Sequence, residues 1–157
     1  MDIELMTVGK TTSKVISQGI EEYVKRLRRY IPYSINMLPD VKNAGKLKPV
    51  LQKESEGEMI LSKLSMSDYV VLLDERGKEY TSVEFASFIE RQMVAGRKRV
   101  VFIVGGPYGF SDAVYERADT EVSLSKMTFN HEMVRLFFTE QVYRAMTILK
   151  GEPYHHS

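Results

Sequence analysis

The sequence contains no cysteine among its 157 residues. Disulfide bonds, thiolate metal ligands and a thiol nucleophile are therefore excluded. Its apolar runs are short, and none approaches the roughly 20 residues that a helix needs to cross a bilayer. Residues 1–10 alternate in the manner of a strand and lack the pattern of a secretion signal. These absences predict a cytoplasmic protein that makes no contact with a membrane.

A strong net charge is also missing, since 22 basic residues face 21 acidic residues. A nucleic-acid-binding protein need not be basic overall, but it concentrates positive charge in one region. Lys25, Arg26, Arg28 and Arg29 form one such region, although a solvated helix face has the same composition. Internal repeats, low-complexity stretches and linkers are absent as well, which predicts a single domain over residues 1–157.

Strand-like and helix-like segments alternate along the chain, which is typical of an α/β protein. Two wholly apolar runs suit strands that are covered on both faces, so the sheet is predicted to be mostly parallel and flanked by helices. Thr12 or Ser13 is predicted to cap the first helix and Ser82 the third. Strands are predicted at 3–8, 33–38, 69–73, 100–104 and 121–124, helices at 15–31, 49–64, 82–96, 111–117 and 131–150, and a polar turn at 74–79.

Three loops follow predicted strands, after Leu73, Val104 and Leu124, and ligands of open α/β sheets bind beyond the carboxyl ends of strands. The glycines of GGPYG at 105–109 allow a ligand to approach the backbone closely, although a plain tight turn is an equal alternative. The GxGxxG spacing of dinucleotide sites is absent. Residues 124–129 offer backbone groups to an adenine, but an ordinary strand-to-helix connection has the same composition.

The last helix carries two charged pairs at a spacing of four residues, so each pair shares a face. These are His131 with Arg135 and Glu140 with Arg144. A surface ion pair is the ordinary alternative for the second pair. The wide apolar arc of this helix favours a site and a subunit interface instead. The tail residues Tyr154, His155 and His156 are titratable, and a disordered end or a tag remnant are alternatives. Because no third ligand has metal-site spacing, no metal is predicted.

Several motifs together resemble the family of ribosomal RNA large-subunit methyltransferase H. They are GGPYG at 105–109, SLSKMTFNHEMVR at 123–135 and EQVYRAMTILKGEPYHH at 140–156, with MTVGK at 6–10 and LLDERGK at 72–78. The resemblance covers essentially the whole chain. It implies a SPOUT-type α/β knot, in which the C-terminal part of the chain threads a trefoil knot. Two departures stand out: Asn130 replaces the usual proline, and His156 replaces a usual basic residue.

The resemblance also implies an activity. The family works as a homodimer and uses S-adenosylmethionine to methylate N3 of a pseudouridine in 23S ribosomal RNA within the ribosome. The positions that match its cofactor site are Leu73, Gly105, Gly106, Leu124, Ser125, Lys126, Met127, Thr128 and Phe129. Those expected to be catalytic are Glu140, Arg144, Tyr154 and His155, and those expected to bind substrate are His131 and Arg135.

The sequence leaves the roles within this set open. Glu140 or His155 is predicted to accept the N3 proton, directly or through water. Arg144 or Arg135 is predicted to hold a phosphate or to stabilise negative charge on the uracil ring. Two other functions remain as alternatives: a non-catalytic ribosome-associated factor with the same fold, and an α/β enzyme that acts on a free nucleotide.

Overall fold

The structure, a computed structural model, describes residues 1–156. Strands and helices alternate from the first element to the last, as the sequence predicts. In chain order they are β1 (Asp2–Val8), α1 (Lys14–Leu27), β2 (Tyr33–Leu38), α2 (Pro49–Ser62), β3 (Tyr69–Glu79), α3 (Ser82–Val94), β4 (Arg99–Val104), α4 (Asp112–Arg117), β5 (Thr120–Ser123) and α5 (His131–Leu149).

The strands form one sheet in the order β2-β1-β4-β3-β5. Each pair of neighbouring strands is parallel. The predicted α/β class with a parallel sheet flanked by helices is therefore confirmed. This order places the carboxyl ends of β4, β3 and β5 side by side at one edge of the sheet. The trefoil knot stays a prediction.

Helices cover both faces of the sheet, because successive strand residues point to opposite sides. One face packs under α1, α3 and α5, and the other packs under α2 and α4. Helix α5 lies between α1 and α3. Part of the wide apolar arc of α5 is therefore buried within its own chain, the rest is half-buried, and the Phe137 side chain is exposed.

Side-chain caps begin four of the helices, α1, α3, α4 and α5. Ser13 caps α1 and accepts a hydrogen bond from the Ile16 N–H, as predicted. The prediction of Ser82 as the cap of α3 is wrong, because Thr81 forms a capping box with Glu84 and Ser82 is the first helical residue. Asn130, which stands where the family usually has proline, accepts hydrogen bonds from Glu132 and Met133 and caps α5.

The prediction that a polar turn at 74–79 ends the third strand is wrong. Strand β3 pairs with β5 through Leu73, shifts its register, and resumes pairing at Lys78. Leu73 and Lys78 both lie opposite Val122, so the intervening polar residues form an irregularity within the strand. Polarity and Gly77 suggested a turn because Glu75 and Arg76, in this irregular part of the strand, are exposed to solvent as turn residues are.

Candidate functional site

A cavity of about 340 Å³ lies at the carboxyl ends of β3, β4 and β5. We call it the glycine-loop cavity, after the Gly105–Gly109 loop that forms one wall. Its volume falls in the range of small-molecule sites. It brings together all the residues predicted to bind cofactor except Lys126: Leu73, Gly105, Gly106, Leu124, Ser125, Met127, Thr128 and Phe129.

Lys126 lies outside this lining. Its side chain is 89% exposed, and its Nζ lies 3.9 Å from Glu79 Oε1. Conversely, Asp74 and Glu75 line the cavity although the sequence assigned them to a turn. Asp74 accepts a hydrogen bond from the Tyr115 hydroxyl, so one of the two acidic groups is held in place. Their position directly after the apolar run at 69–73 is the sequence signal for them.

The glycine loop presents bare backbone to the cavity. The Gly109 N–H donates to the Gly106 carbonyl over 3.1 Å, and Gly109 has a φ of 80°, which favours glycine. A Cβ added to Gly105 would lie 3.2 Å from the Phe110 ring. A side chain at Gly105 would therefore crowd this ring. Because the loop carries glycines at 105, 106 and 109, its main-chain atoms are accessible to a bound molecule.

The opposite wall is the bend from Ser123 to Phe129. Ser123 Oγ donates to the Ser125 carbonyl over 3.0 Å, and Ser125 Oγ accepts from the Met127 N–H over 2.9 Å. These bonds fix the course of the backbone beside the cavity. Leu73, Val104 and Leu124 add apolar surface. The cavity therefore suits a flat apolar ring whose polar edge is read by main-chain groups.

The four residues predicted to be catalytic meet in a second place, between α5 and the C-terminal tail. Glu140 Oε1 accepts from Arg144 Nη2 over 2.6 Å and from the Tyr154 hydroxyl over 2.9 Å. Arg144 Nη1 lies 3.1 Å from Nδ1 of His155. The Arg144 guanidinium also lies 4.8 Å from the centroid of the Tyr154 ring. We call this group the α5–tail cluster.

Protonation within the α5–tail cluster follows from these contacts. An arginine only donates, so Nδ1 of His155 accepts from Arg144, and the ring proton of a neutral His155 sits on Nε2. Burial raises the pKa of Tyr154, and its hydrogen bonds to Tyr23 and Glu140 raise it further. Tyr154 is therefore a neutral donor to Glu140 at physiological pH. His155 likewise offers a donor at Nε2.

Two tyrosines of the α1 region hold the tail in place, and both lie within the first predicted helix, at 15–31. The Tyr30 hydroxyl donates to Glu152 Oε2 over 2.6 Å, which raises the pKa of Tyr30 to about 12. The hydroxyl groups of Tyr154 and Tyr23 are 3.4 Å apart. The hydroxyl group distinguishes a tyrosine from the wholly apolar residues of a helix, and it is the hydroxyl that contacts the tail here.

The two residues predicted to bind substrate have different surroundings. His131 lines the glycine-loop cavity with a side chain that is 66% exposed. Arg135 is buried, with 1% of its surface exposed, and donates to Thr11 Oγ1 and to the Val8 carbonyl. Its guanidinium therefore holds the carboxyl end of β1, and Arg135 does not belong to the lining of the glycine-loop cavity. This geometry does not support substrate contact by Arg135.

A second cavity of about 400 Å³ lies between the first cavity and the α5–tail cluster. We call it the Tyr80 cavity. It shares Ser123, Leu124 and Phe129 with the glycine-loop cavity, and Glu140 lines its far side. Its remaining lining is largely apolar, including Phe85 and the exposed Phe137. The two predicted groups of site residues are therefore neighbours separated by an apolar surface.

Two kinds of site are absent from the described part of the chain. Across residues 1–156, no group of three or more histidine, aspartate or glutamate side chains is arranged to hold a metal ion. None of the helices in this range combines the length and apolar character required of a membrane span.

Known proteins with similar sequences and folds place the chain in a family. A family model described as "Predicted SPOUT methyltransferase" matches residues 1–155. Two proteins named ribosomal RNA large subunit methyltransferase H have similar sequences. The one from Porphyromonas gingivalis is 55% identical to this chain and the one from Parabacteroides distasonis 54%, over 99% of both chains in each case. The crystal structure of tRNA (m1G37) methyltransferase from Aquifex aeolicus matches all of this chain and 76% of its own, with a TM-score of 0.56 at 16% identity. The chain belongs to the SPOUT methyltransferase family.

Proposed function

We propose that this chain transfers a methyl group from S-adenosylmethionine to N3 of a pseudouridine in 23S ribosomal RNA, acting on the ribosome in the cytoplasm. The observation that carries this proposal is the 55% identity to a protein named ribosomal RNA large subunit methyltransferase H, over 99% of both chains. The glycine-loop cavity supports it, because all the residues predicted to bind the cofactor except Lys126 line one space of suitable size.

The glycine-loop cavity fits the cofactor by its chemistry. Main-chain atoms of Gly105, Gly106 and the 124–129 segment would hold the adenine edge, and Leu73 and Leu124 would contact its faces. S-adenosylmethionine supplies a methyl group on a positively charged sulfur, so the group needs no further activation by the protein. The main task of the chain is then to position the RNA base against this cavity.

Within the α5–tail cluster, Glu140 is the better acceptor for the N3 proton. His155 uses Nδ1 to accept from Arg144 and carries its proton on Nε2, so it has a donor to offer. Glu140 Oε2 accepts one hydrogen bond, from Gln141 Nε2 over 3.1 Å, and a carboxylate oxygen has capacity for a second. We assign proton acceptance to Glu140, and stabilisation of the developing negative charge on the uracil ring to Arg144 and His155.

A second copy of the chain completes this site in our proposal. His131 and Arg144 lie on the same helix, about 20 Å apart along its axis at 1.5 Å per residue. The Tyr80 cavity between them has the apolar lining of a protein contact and not the charged lining that suits RNA. We propose that a partner copy covers it, which brings the glycine-loop cavity of one chain near the α5–tail cluster of the other.

Contact with ribosomal RNA would use the basic run at the end of α1. Arg26 pairs with Glu22 over 2.8 Å, and its guanidinium lies 5.4 Å from the Tyr23 ring and 5.7 Å from the Tyr143 ring. Tyr23 in turn contacts Tyr154. Lys25, Arg28 and Arg29 are exposed beside it. The run therefore lies next to the α5–tail cluster, where its charges can bind phosphates in a salt-dependent way.

Methyl transfer to ribosomes that lack the modification tests the proposal. We expect the wild-type chain to methylate them, and Arg144→Ala and Glu140→Gln each to lower kcat/KM by about 100-fold or more, as loss of a charge-stabilising or proton-accepting group does. Glu90→Gln, the same substitution at an exposed helix position, is the matched control and should keep full activity.

Three other results would contradict the proposal in different ways. Unchanged transfer by both α5 variants would remove these residues from the mechanism. Failure of the wild-type chain to bind S-adenosylmethionine in calorimetry would favour the non-catalytic ribosome-associated factor. Methylation of free nucleosides without ribosomes would favour an enzyme of small substrates.

A further inference from the structure

Helix α2 contains a buried acidic residue that the proposed mechanism does not use. Glu56 is 3% exposed, and within residues 1–156 its Oε1 has no hydrogen-bond partner. Its Oε2 accepts from Gln52 Nε2 over 3.2 Å. A buried carboxyl group with an unpaired oxygen lowers stability, whereas an apolar side chain of similar size would not. Its position therefore calls for an explanation.

The unpaired oxygen lies against the glycine loop. A Cβ added to Gly106 would lie 2.3 Å from Glu56 Oε1 and 2.7 Å from both Oε2 and the carboxyl carbon, closer than atoms can approach. These three atoms are the nearest neighbours of that Cβ, so the side of Gly106 that would carry a side chain faces Glu56. The Glu56 carboxyl group therefore supports the backbone of a residue that lines the glycine-loop cavity.

The next residue of α2 contacts the other end of the same loop. A Cβ added to Gly57 would lie 2.3 Å from Ser111 Oγ. Ser111 ends the loop that begins at Gly105, and its hydroxyl caps α4 by accepting from the Val114 N–H. Consecutive residues of one buried helix turn thus contact both ends of the 105–111 segment. This arrangement limits the movement of the loop relative to the sheet.

The charge state of Glu56 agrees with such a role. Burial raises its pKa, the hydrogen bond from Gln52 lowers it, and the negative charge of nearby Asp40 raises it again. The carboxyl group is therefore easier to protonate than an exposed glutamate, and a neutral acid fits closely against backbone without the full cost of a buried charge.

We infer that Glu56 is a positioning residue for the methyl donor: it fixes the Gly105–Gly106 backbone in the geometry that binds S-adenosylmethionine. The inference rests on the proposed function, because it takes that cofactor as the ligand of the glycine-loop cavity. Glu56 acts through Gly106 and touches neither donor nor RNA.

Calorimetric titration with S-adenosylmethionine tests this role through compensation. Gly106→Ala places a methyl group against the carboxyl of Glu56, and we expect it to weaken binding about tenfold or more. Glu56→Ala should weaken binding by a smaller factor, because the loop loses its support. The double variant Gly106→Ala/Glu56→Ala should bind more tightly than Gly106→Ala alone, because the two residues no longer clash.

Further variants separate positioning from general damage. Glu56→Gln keeps the size of the side chain and should bind within about threefold of wild type, since packing is preserved. Glu54→Ala removes an exposed carboxylate from the same helix and should leave binding unchanged. In the methyl-transfer assay, Glu56→Ala should raise KM for the donor more than it lowers kcat. If Glu56→Ala does not fold, Glu56→Asp, which withdraws the carboxyl by one carbon, takes its place in the double variant.

The outcomes distinguish this inference from the proposed function. A double variant that binds no better than Gly106→Ala, or a Glu56→Ala chain with wild-type affinity, would overturn the role of Glu56 alone. A wild-type chain that does not bind S-adenosylmethionine would overturn the proposed function and this inference together.

Discussion

Two arginines on α5 had similar predicted roles, and their immediate surroundings separate them. Arg135 is 1% exposed, donates to Thr11 and Val8, and within the described residues has an unpaired Nε. Burial lowers its pKa. The Arg144 side chain is 25% exposed and pairs with Glu140. The charge of Arg135 therefore stabilises the end of β1, whereas the partly exposed Arg144 fits the catalytic role that we propose for it.

Alanine substitutions at the two positions should have opposite profiles. Arg135→Ala removes the two hydrogen bonds of a buried side chain and leaves a cavity, so we expect the free energy of unfolding to fall by about 2–4 kcal/mol. Arg144→Ala should change the free energy of unfolding by less than about 1 kcal/mol, because the side chain is partly solvated. The same variant should lower kcat/KM for methyl transfer by about 100-fold or more. Urea unfolding of both variants provides the comparison. Equal stability losses would show that Arg144 is also a structural residue.

Among the elements, β3 differs most from its prediction, and one glycine explains its course. A Cβ added to Gly77 would lie 2.6 Å from the Val122 backbone nitrogen and 2.7 Å from the Glu121 carbonyl carbon. Backbone atoms cannot withdraw as a flexible side chain can. Strand β3 can therefore shift its register beside β5 only because residue 77 lacks a side chain.

Gly77→Ala should consequently disrupt the β3–β5 pairing. We expect a loss of unfolding free energy of about 3 kcal/mol or more, typical of a severe clash in a packed interior. Gly96→Ala is the matched control: its Cβ would meet nothing within 4 Å, and only its φ of 75° is unfavourable, which costs about 1 kcal/mol. Thermal unfolding of both variants tests this difference. Similar losses would mean that the close approach at Gly77 is relieved by movement of the backbone.

The elements also show which features a sequence can reveal. The buried strands β3 and β4 were predictable because their apolar runs are a local property. The glycine loop was predictable because it follows such a strand, and the 124–129 segment because it follows the short strand β5. Glu56 was not, because α2 reads as an ordinary charged helix and only its position under Gly106 buries that carboxyl. The burial of Arg135 was not predictable for the same reason. Its spacing places it on the same helix face as His131, but its burial depends on contact with β1.

For the whole molecule, the proposed dimer determines which groups together form one catalytic site. The α5–tail cluster is held within one chain by Tyr154 and His155. The glycine-loop cavity belongs to the sheet edge, and the apolar Tyr80 cavity separates the two. A catalytic site shared between copies therefore requires each chain to contribute one group. A site within one chain would instead require the RNA base to span the Tyr80 cavity.

Mixed dimers distinguish these arrangements. One parent chain carries Leu124→Arg, which fills the glycine-loop cavity, and the other carries Arg144→Ala. Each parent alone should be inactive. If sites are shared, half of the sites in a mixed dimer are intact, and random mixing of a symmetric dimer should restore roughly a quarter of wild-type methyl transfer. The measurement is transfer to unmodified ribosomes after co-expression, with each parent mixed with itself as the control. A mixture as inactive as its parents, in dimers shown to have exchanged, would place the whole site within one chain.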